Sequence, residues 1–396
     1  MLSQHRIALS IAGDARDPSA YSGAPASLLR ALSDRDLAVV PISADFGPRG
    51  QRLLTNAVTL GFIGPGTAKT LLRGEGLRLA FRANKPKLLP SREMTAIRSA
   101  IVARHLRAVQ PIERVLQFGS EYRLPAGTDY VTLDDATIVQ LHRAYPYHWM
   151  RSVSPQALRR MIARQQQIFR GARACCVLNA WAAASAIEDY GVPEERVHVV
   201  GTGPNREPER APRAWDIPRF LFVGKDFERK NGGRVIASFR TVREQQPDAT
   251  LDVVGEHPPI DAAGVIAHGP LRLDDRGESA KLSGLFARAT CLVMPSRVEP
   301  TGNVHAEALA AGIGSIGTTR GGVSTVIGDA GVLVDPDDGA ALTEAMLRFC
   351  DSFTMAEFGR RAERRAPLFT WRAVAERVIR ALELPDVTAE ELEDFL

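Results

Sequence analysis

Long apolar runs are missing from this 396-residue chain: no stretch of eighteen apolar residues occurs, so no segment reads as a membrane-spanning helix. Cysteine is scarce. The four are Cys175, Cys176, Cys291 and Cys350, with no CxxC pair and no histidine-rich partner segment. This argues against a disulfide scaffold and a structural zinc, and reads as buried thiols in a reducing cytoplasm. No basic patch is interleaved with aromatic residues, which sets nucleic acid aside as a partner. No DxD-type cluster stands at a strand end where it could hold a divalent ion; Asp337-Asp338 falls in a late loop. The opening residues MLSQHRIALSIAGDARDPSA carry an apolar core too short for a signal peptide and read as a first β-strand.

What is present is ordinary globular material, 45% hydrophobic and 24% charged. At a length of roughly 150 residues per domain the chain is expected to form two domains. Its net charge of +4 hides an asymmetry: residues 1–200 hold 26 Lys and Arg against 16 Asp and Glu, and residues 201–396 hold 24 against 30. The basic half includes arginine-rich helical stretches, REMTAIRSAIVARHLRAV and QALRRMIARQQQIFRGAR. Such faces meet solvent, anionic lipid or a phosphorylated substrate.

Short apolar runs alternate with amphipathic stretches along most of the chain. The runs are RIALSIAG, LAVVPIS, RVLQF, YVTL, ACCVLNA, RVHVVGTG, RFLFVGK, LDVVGEH, GVIAHGP, CLVMPSR, GSIGTT and GVLVDPD. Strand–helix–strand alternation predicts parallel sheets covered by helices on both faces. The pattern restarts near residue 219, just after the proline-rich, aperiodic GPNREPERAPRAWDIPR, which reads as a linker. The expected fold class is therefore α/β with two doubly wound, Rossmann-like domains facing across a cleft. Residues 1–204 would form the N-terminal domain, 205–218 the linker, 219–375 the C-terminal domain, and 376–396 a C-terminal helix that can return to the first domain. Ligands of such sheets bind outside the carboxyl ends of the strands.

The turns after the second-half strands carry polar residues suited to a ligand. KDFERKNGG places Lys225, Arg229 and Lys230 together before a helix. EPTGNVHAEALAAG sets Glu299 and Glu307 around a Thr301-Gly302-Asn303 turn. Gly302 lets the backbone approach a ligand, and Thr301 or Asn303 can cap the helix that follows. The first-turn amides of that helix form an anion site suited to a diphosphate. The flanking carboxylates accept hydrogen bonds from hydroxyls. Phosphates in the middle and polyols at both ends describe a nucleotide sugar, with lysines to take the charge of a departing diphosphate.

With these residues in view, the second half resembles the retaining GT-B glycosyltransferases of family 4, known by a Glu-x7-Glu motif that Glu299 and Glu307 match. FVGKDFERKNGG resembles the family's diphosphate-binding turn, VLVDPDD its strand after the motif, and YSGAPASLLRAL its N-terminal glycine loop at Gly23. The likeness is strong over residues 175–345 and weaker before. It implies that Glu307 holds the ribose hydroxyls and that Glu299 holds the transferred sugar. It puts backbone near sugar and phosphates at Thr301, Gly302, Asn303 and Val304, and backbone at Gly255 and from Gly269 to Leu271 against the base. Lys225 and Lys230 would bracket the diphosphate. The implied reaction moves a hexose with retention from a nucleotide diphosphate sugar to a saccharide or lipid-linked hydroxyl, with no cofactor and no metal, in glycan or polysaccharide biosynthesis. A lipid-linked acceptor fits a cytoplasmic enzyme with peripheral contact at the inner membrane face.

Two positions depart from the pattern. The family usually has arginine where Lys225 stands; lysine offers a point charge in place of a bidentate fork. The family often has a histidine where the strand DYVTLDDAT ends in Asp134-Asp135, so Asp134 takes that place. A carboxylate there can hold a sugar hydroxyl but cannot imitate a neutral imidazole. Either aspartate could equally be a plain N-cap for ATIVQLHRAY, and His305 reads as packing. Two other classes stay open: an epimerase of the same fold, and a sugar-nucleotide binding protein without turnover.

Overall fold

The computed structural model describes residues 5–18, 20–35, 37–45, 91–144, 149–206, 212–272, 275–385 and 387. Part of the expected linker (207–211) and most of the acidic tail (386 and 388–396) lie outside them. The chain divides into two compact units. One comprises the described residues within Met1–Cys176, Ser185–His198 and Ile379–Val387; the other those within Val177–Ala184 and Val199–Val378.

The first unit holds β1 (Arg6–Ile11), β2 (Ala38–Ser43), β3 (Arg114–Phe118), β4 (Tyr130–Asp134), β5 (Ala174–Val177) and β6 (Val197–Val199) in the order β2-β1-β3-β4-β5-β6. The pairings from β2 through β4 are parallel. Its helices are α1 (Ala24–Ser33), α2 (Arg92–Ala108), α3 (Ile138–Ala144) and α4 (Pro155–Gly171), with α5 (Ala180–Glu188) between β5 and β6. The second sheet holds β7 (Arg219–Val223), β8 (Thr250–Val254), β9 (Val265–Gly269), β10 (Cys291–Val293), β11 (Gly314–Thr318) and β12 (Gly331–Val334), in the order β12-β11-β10-β7-β8-β9. All five of its pairings are parallel. Its helices are α6 (Gly232–Gln245), α7 (Arg276–Arg288), α8 (Asn303–Ala310), α9 (Val323–Ile327), α10 (Gly339–Arg348) and α11 (Ser352–Arg365), and α12 (Trp371–Leu382) ends the series.

The near-continuous apolar strands follow from burial on both faces. In the second unit Phe220, Phe222, Leu251 and Val253 pack into one core under α6 and α10. Leu221, Val254 and Leu292 face the other way, into a core with Leu282, Leu285 and Phe286 of α7. Each strand thus feeds two cores by simple alternation.

Two kinds of helix start recur. Ser91, Ser154, Asp275, Asp338 and Asp351 cap α2, α4, α7, α10 and α11 with their own side chains. By contrast α1, α6 and α8 are entered through the left-handed residues Gly23 (φ 85), Asn231 (φ 65) and Gly302 (φ 74), with no side-chain cap. Those three helices follow β1, β7 and β10. Their first-turn amides have no side chain to satisfy them locally.

Candidate functional site

In the second sheet the chain runs outward from β7 to β9, then crosses back to β10 and runs outward to β12 on the other side. The reversal lies between β7 and β10. Turns leaving those two strands diverge and open a crevice where parallel sheets take ligands. Lys230 and Glu299, two of the predicted site residues, sit there. Lys230, in the turn after β7, donates to Glu299 Oε2, in the turn after β10. Ser296 Oγ donates to the same oxygen at 3.0 Å, and Arg229 Nη1 stands 3.7 Å from it. Arg229 also ties the two turns directly: its Nη1 donates to Val298 O at 3.1 Å, and its carbonyl accepts from Arg297 N at 2.8 Å.

Glu299 and Lys230 are buried side chains. Burial by itself raises the Glu299 carboxyl, but the Lys230 and Arg229 charges outweigh it and hold the group below its ordinary value. For Lys230 burial is the larger effect and lowers the ammonium, with Glu299 pulling it back in part. Each member is the other's counter-charge. The Glu299 backbone is pinned as well: its N–H donates to Arg320 O at 3.0 Å, and its carbonyl accepts from Gly322 N at 3.0 Å. Gly321 makes that approach possible, since a Cβ on it would lie 2.1 Å from Glu299 O.

Glu307 lies in the second turn of α8 and is 5% exposed. Arg206 Nη2 donates to its Oε2 at 2.6 Å. The same guanidinium lies 5.7 Å from the Phe286 ring centroid. Burial raises the Glu307 carboxyl above its ordinary value, and Arg206 offsets this only in part. Arg206 keeps two buried nitrogens, Nε and Nη1, without hydrogen-bond partners.

The turn between the glutamates differs from expectation in one respect. Neither Thr301 nor Asn303 caps α8; Gly302 is the N-cap residue, and its positive φ sets the entry. Asn303 Oδ1 instead accepts from Thr202 Oγ1 at 3.0 Å, and Thr301 Oγ1 is buried with no partner. Val304 packs into the cores on both sheet faces. His305 is fully buried with both ring nitrogens unpartnered, and burial pushes it down to about 3, so it is neutral.

The remaining predicted donor residues lie in the neighbouring turns. Gly255 follows β8 at φ 124, where a Cβ would lie 1.8 Å from Gly224 O. This glycine is required by close backbone packing in the protein itself. Gly269 (φ 67) donates its N–H to His257 Nε2 at 3.3 Å. Leu271 is partly buried against the α7-side core. Lys225 stands exposed with no ion pair among the described residues; the cations that reach Glu299 are Lys230 and Arg229.

Two predicted residues belong to the first unit and are placed by its own sheet. Gly23 is the buried N-cap of α1. Asp134 is the last residue of β4, 5% exposed. It is not a helix cap: α3 begins at Ile138, and Thr137 Oγ1 accepts from Gln140 N at 3.2 Å in that role. Burial, and then the charges of Glu121 and Asp135, push the Asp134 carboxyl well above the ordinary range.

Arg206 and Ser296 were not singled out in the sequence. Arg206 falls in the proline-rich stretch read as a linker. Described parts of that stretch pack on the second unit: Arg213 donates to Phe286 O, Ala287 O, Ala311 O and Gly312 O. Among the described residues no group of three or more His, Cys, Asp or Glu is arranged to hold a metal ion. Nor is any helix long and apolar enough to cross a membrane.

Residues 217–352 match the family model described as Glycosyl transferases group 1. A glycogen synthase of Mycobacterium tuberculosis is 30% identical over 172 residues, 39% of this chain and 40% of that protein. A D-inositol 3-phosphate glycosyltransferase of Paenarthrobacter aurescens is 29% identical over 247 residues, 55% of this chain and 59% of that protein. The chain thus spans about half the length of these curated relatives. Among solved structures, a sucrose-phosphate synthase from Thermosynechococcus elongatus superposes with a TM-score of 0.62 at 18% identity, covering 95% of this chain and 98% of that one. WaaG, a glycosyltransferase involved in lipopolysaccharide biosynthesis, gives 0.55 at 22% identity, covering 73% and 82%. The fold is α/β of the GT-B type, built from two Rossmann-like units, and the second unit carries a domain of the glycosyl transferases group 1 kind.

Proposed function

We propose that the protein is a retaining glycosyltransferase that moves a hexose from a nucleotide diphosphate sugar to a hydroxyl of a saccharide or lipid-linked acceptor, in glycan biosynthesis. The observation that carries this reading is the arrangement at the β7–β10 reversal. An uncapped helix start at Gly302 is flanked by one carboxylate paired with Lys230 and another, Glu307, set one turn inside the helix. Amides of α8 and α6 and the charges of Lys230 and Arg229 suit the diphosphate. Glu307 suits the ribose hydroxyls, and Glu299 the hydroxyls of the transferred sugar. The acceptor oxygen bonds to the anomeric carbon on the face from which the diphosphate departs. The anomeric carbon–phosphate oxygen bond breaks, and the acceptor proton passes to a diphosphate oxygen. Lys230 and Arg229 stabilise the charge that grows there, so neither a protein base nor a metal is required. The family match over residues 217–352 and the names of the partial relatives support this reading.

Thermal unfolding with UDP, GDP and ADP in turn tests it. A ligand at a hundredfold excess over its Kd stabilises the folded state by about 2.7 kcal/mol. One nucleotide is expected to raise the midpoint of the wild type by several degrees, and Glu307→Gln to lose most of that shift. If none of the three raises it, the nucleotide-sugar reading is wrong.

A further inference from the structure

Glu307 is the carboxylate proposed to hold a polyol, yet in the free chain it is almost closed to a ligand. Its side chain is 6% exposed, and that of Arg206 beside it 15%. The segment 202–206 covers it. Asn303 and Glu307 stand four residues apart on α8 and so share one face of the helix. The segment meets that face at both residues. Thr202 Oγ1 donates to Asn303 Oδ1 at 3.0 Å. One helical turn further on, Arg206 Nη2 donates to Glu307 Oε2 at 2.6 Å, and the Asn205 backbone amide hydrogen-bonds the same carboxylate.

The first part of the segment is fastened without help from Arg206. Trp371 Nε1 donates to Pro204 O at 2.9 Å, and a Cβ on Gly203 would lie 2.5 Å from Trp371 N. Residues 202–204 are thereby tied to the starts of α8 and α12. The Arg206 side chain is held differently. It gives a buried carboxylate the counter-charge that burial demands. It does so with one nitrogen: Nε and Nη1 have no hydrogen-bond partner. A guanidinium built in as a structural tether uses its donors more fully. Arg213, in the same proline-rich stretch, gives its two terminal nitrogens to four backbone carbonyls.

The two donors that the chain offers Glu307 have a simple counterpart. A vicinal diol presents two O–H donors to one carboxylate. The Asn205 amide and the Arg206 guanidinium imitate that pattern and add a positive charge. With so little of the carboxylate exposed, a diol and the guanidinium cannot occupy it together.

We propose that Arg206 is an internal occupant of the polyol subsite at Glu307. In the free chain its guanidinium neutralises the carboxylate and closes the subsite. A ligand that brings two vicinal hydroxyls displaces that side chain, while the backbone of 202–204 stays fastened. The displacement costs affinity: an occupant that closes a site roughly nine-tenths of the time weakens binding about tenfold. The identity of the ligand as a nucleotide rests on the proposed transferase reading; the closure of Glu307 by Arg206 does not.

Isothermal titration calorimetry of the full chain with UDP, GDP and ADP tests this, for wild type, Arg206→Ala, Glu307→Gln and the double variant. Arg206→Ala is expected to tighten the nucleotide that binds by about tenfold. In the Glu307→Gln background, where the guanidinium has no charge to hold, the same change is expected to alter affinity less than twofold. Arg206→Gln can still hydrogen-bond to the carboxylate and keeps the test usable if Arg206→Ala does not fold; it is expected to tighten binding by a smaller factor. Far-ultraviolet circular dichroism reports the fold of each protein. The proposal is overturned if the Arg206 variants leave affinity within twofold or weaken it, since the arginine would then be structural or a contact of the bound nucleotide. It is also overturned if the gain persists beside Glu307→Gln, since the obstruction would then not depend on the carboxylate. In these cases the nucleotide still binds and the transferase reading stands. If none of the three nucleotides binds either wild type or Arg206→Ala, that reading and the proposal fall together.

Discussion

Replacing Lys230 by alanine isolates the strongest electrostatic contact in the candidate donor site. Lys230 and Glu299 are both buried and lie on turns 69 residues apart in sequence. Removing one member of a buried ion pair typically costs about 3–5 kcal/mol, because the other charge is left without compensation. Glu299 would keep the Ser296 hydroxyl at 3.0 Å and the Arg229 guanidinium at 3.7 Å, which places the expected loss at the lower end. A destabilisation of about 3 kcal/mol corresponds to a fall of roughly 6–12 °C in Tm for a unit of this size. Replacing both members by neutral residues of similar shape, Lys230→Met with Glu299→Gln, is expected to return stability to within about 1 kcal/mol of wild type. The double-mutant cycle should then give a coupling energy of about 2 kcal/mol or more. Urea unfolding followed by far-ultraviolet circular dichroism reads all four proteins. If Lys230→Ala lies within about 0.5 kcal/mol of wild type, the pair behaves as a solvated surface contact and the reasoning fails.

The two glutamates should also report opposite pH dependence. Glu299 is held below its ordinary value of 4.5, so the stability it contributes is present above that pH and is lost as pH falls below it. Glu307 is raised above 4.5, so its contribution is full below that pH and fades as pH rises. Urea unfolding from pH 4 to pH 7 should therefore show the cost of Glu299→Gln growing with pH and that of Glu307→Gln shrinking; parallel curves would contradict both assignments. At Gly255, where a Cβ would lie 1.8 Å from Gly224 O, alanine is expected to cost about 3 kcal/mol or more through strain and backbone displacement. Gly284, exposed in α7 with nothing near its missing Cβ, serves as the control: Gly284→Ala should stabilise by roughly 0.5–1 kcal/mol, both variants being read by urea unfolding at pH 7.

All twelve apolar runs picked out along the chain became strands, because a parallel sheet buried on both faces demands unbroken apolar segments of strand length. The restart of the pattern near residue 219 marks the first strand of the second sheet. The glutamate spacing around Gly302 was equally legible, since a turn needing positive φ and a helix one turn deep are local matters. Which charge meets which carboxylate was not local. Arg206 reaches Glu307 across 101 residues, and Tyr21 reaches Glu121 across 100. Those distances are closed by crossovers that return the chain to the middle of each sheet. Arg206 was hidden in a proline-rich stretch, and Glu121 in a loop of unremarkable composition. Lys225, the more prominent of the two lysines by its place at the strand end, stayed exposed, while Lys230 turned inward onto Glu299. Residue types and short spacings determined the strands and the glycine turns. Strand order decided which turns became neighbours, and the reversal in the second sheet is what brings the turns after β7 and β10 within hydrogen-bond reach.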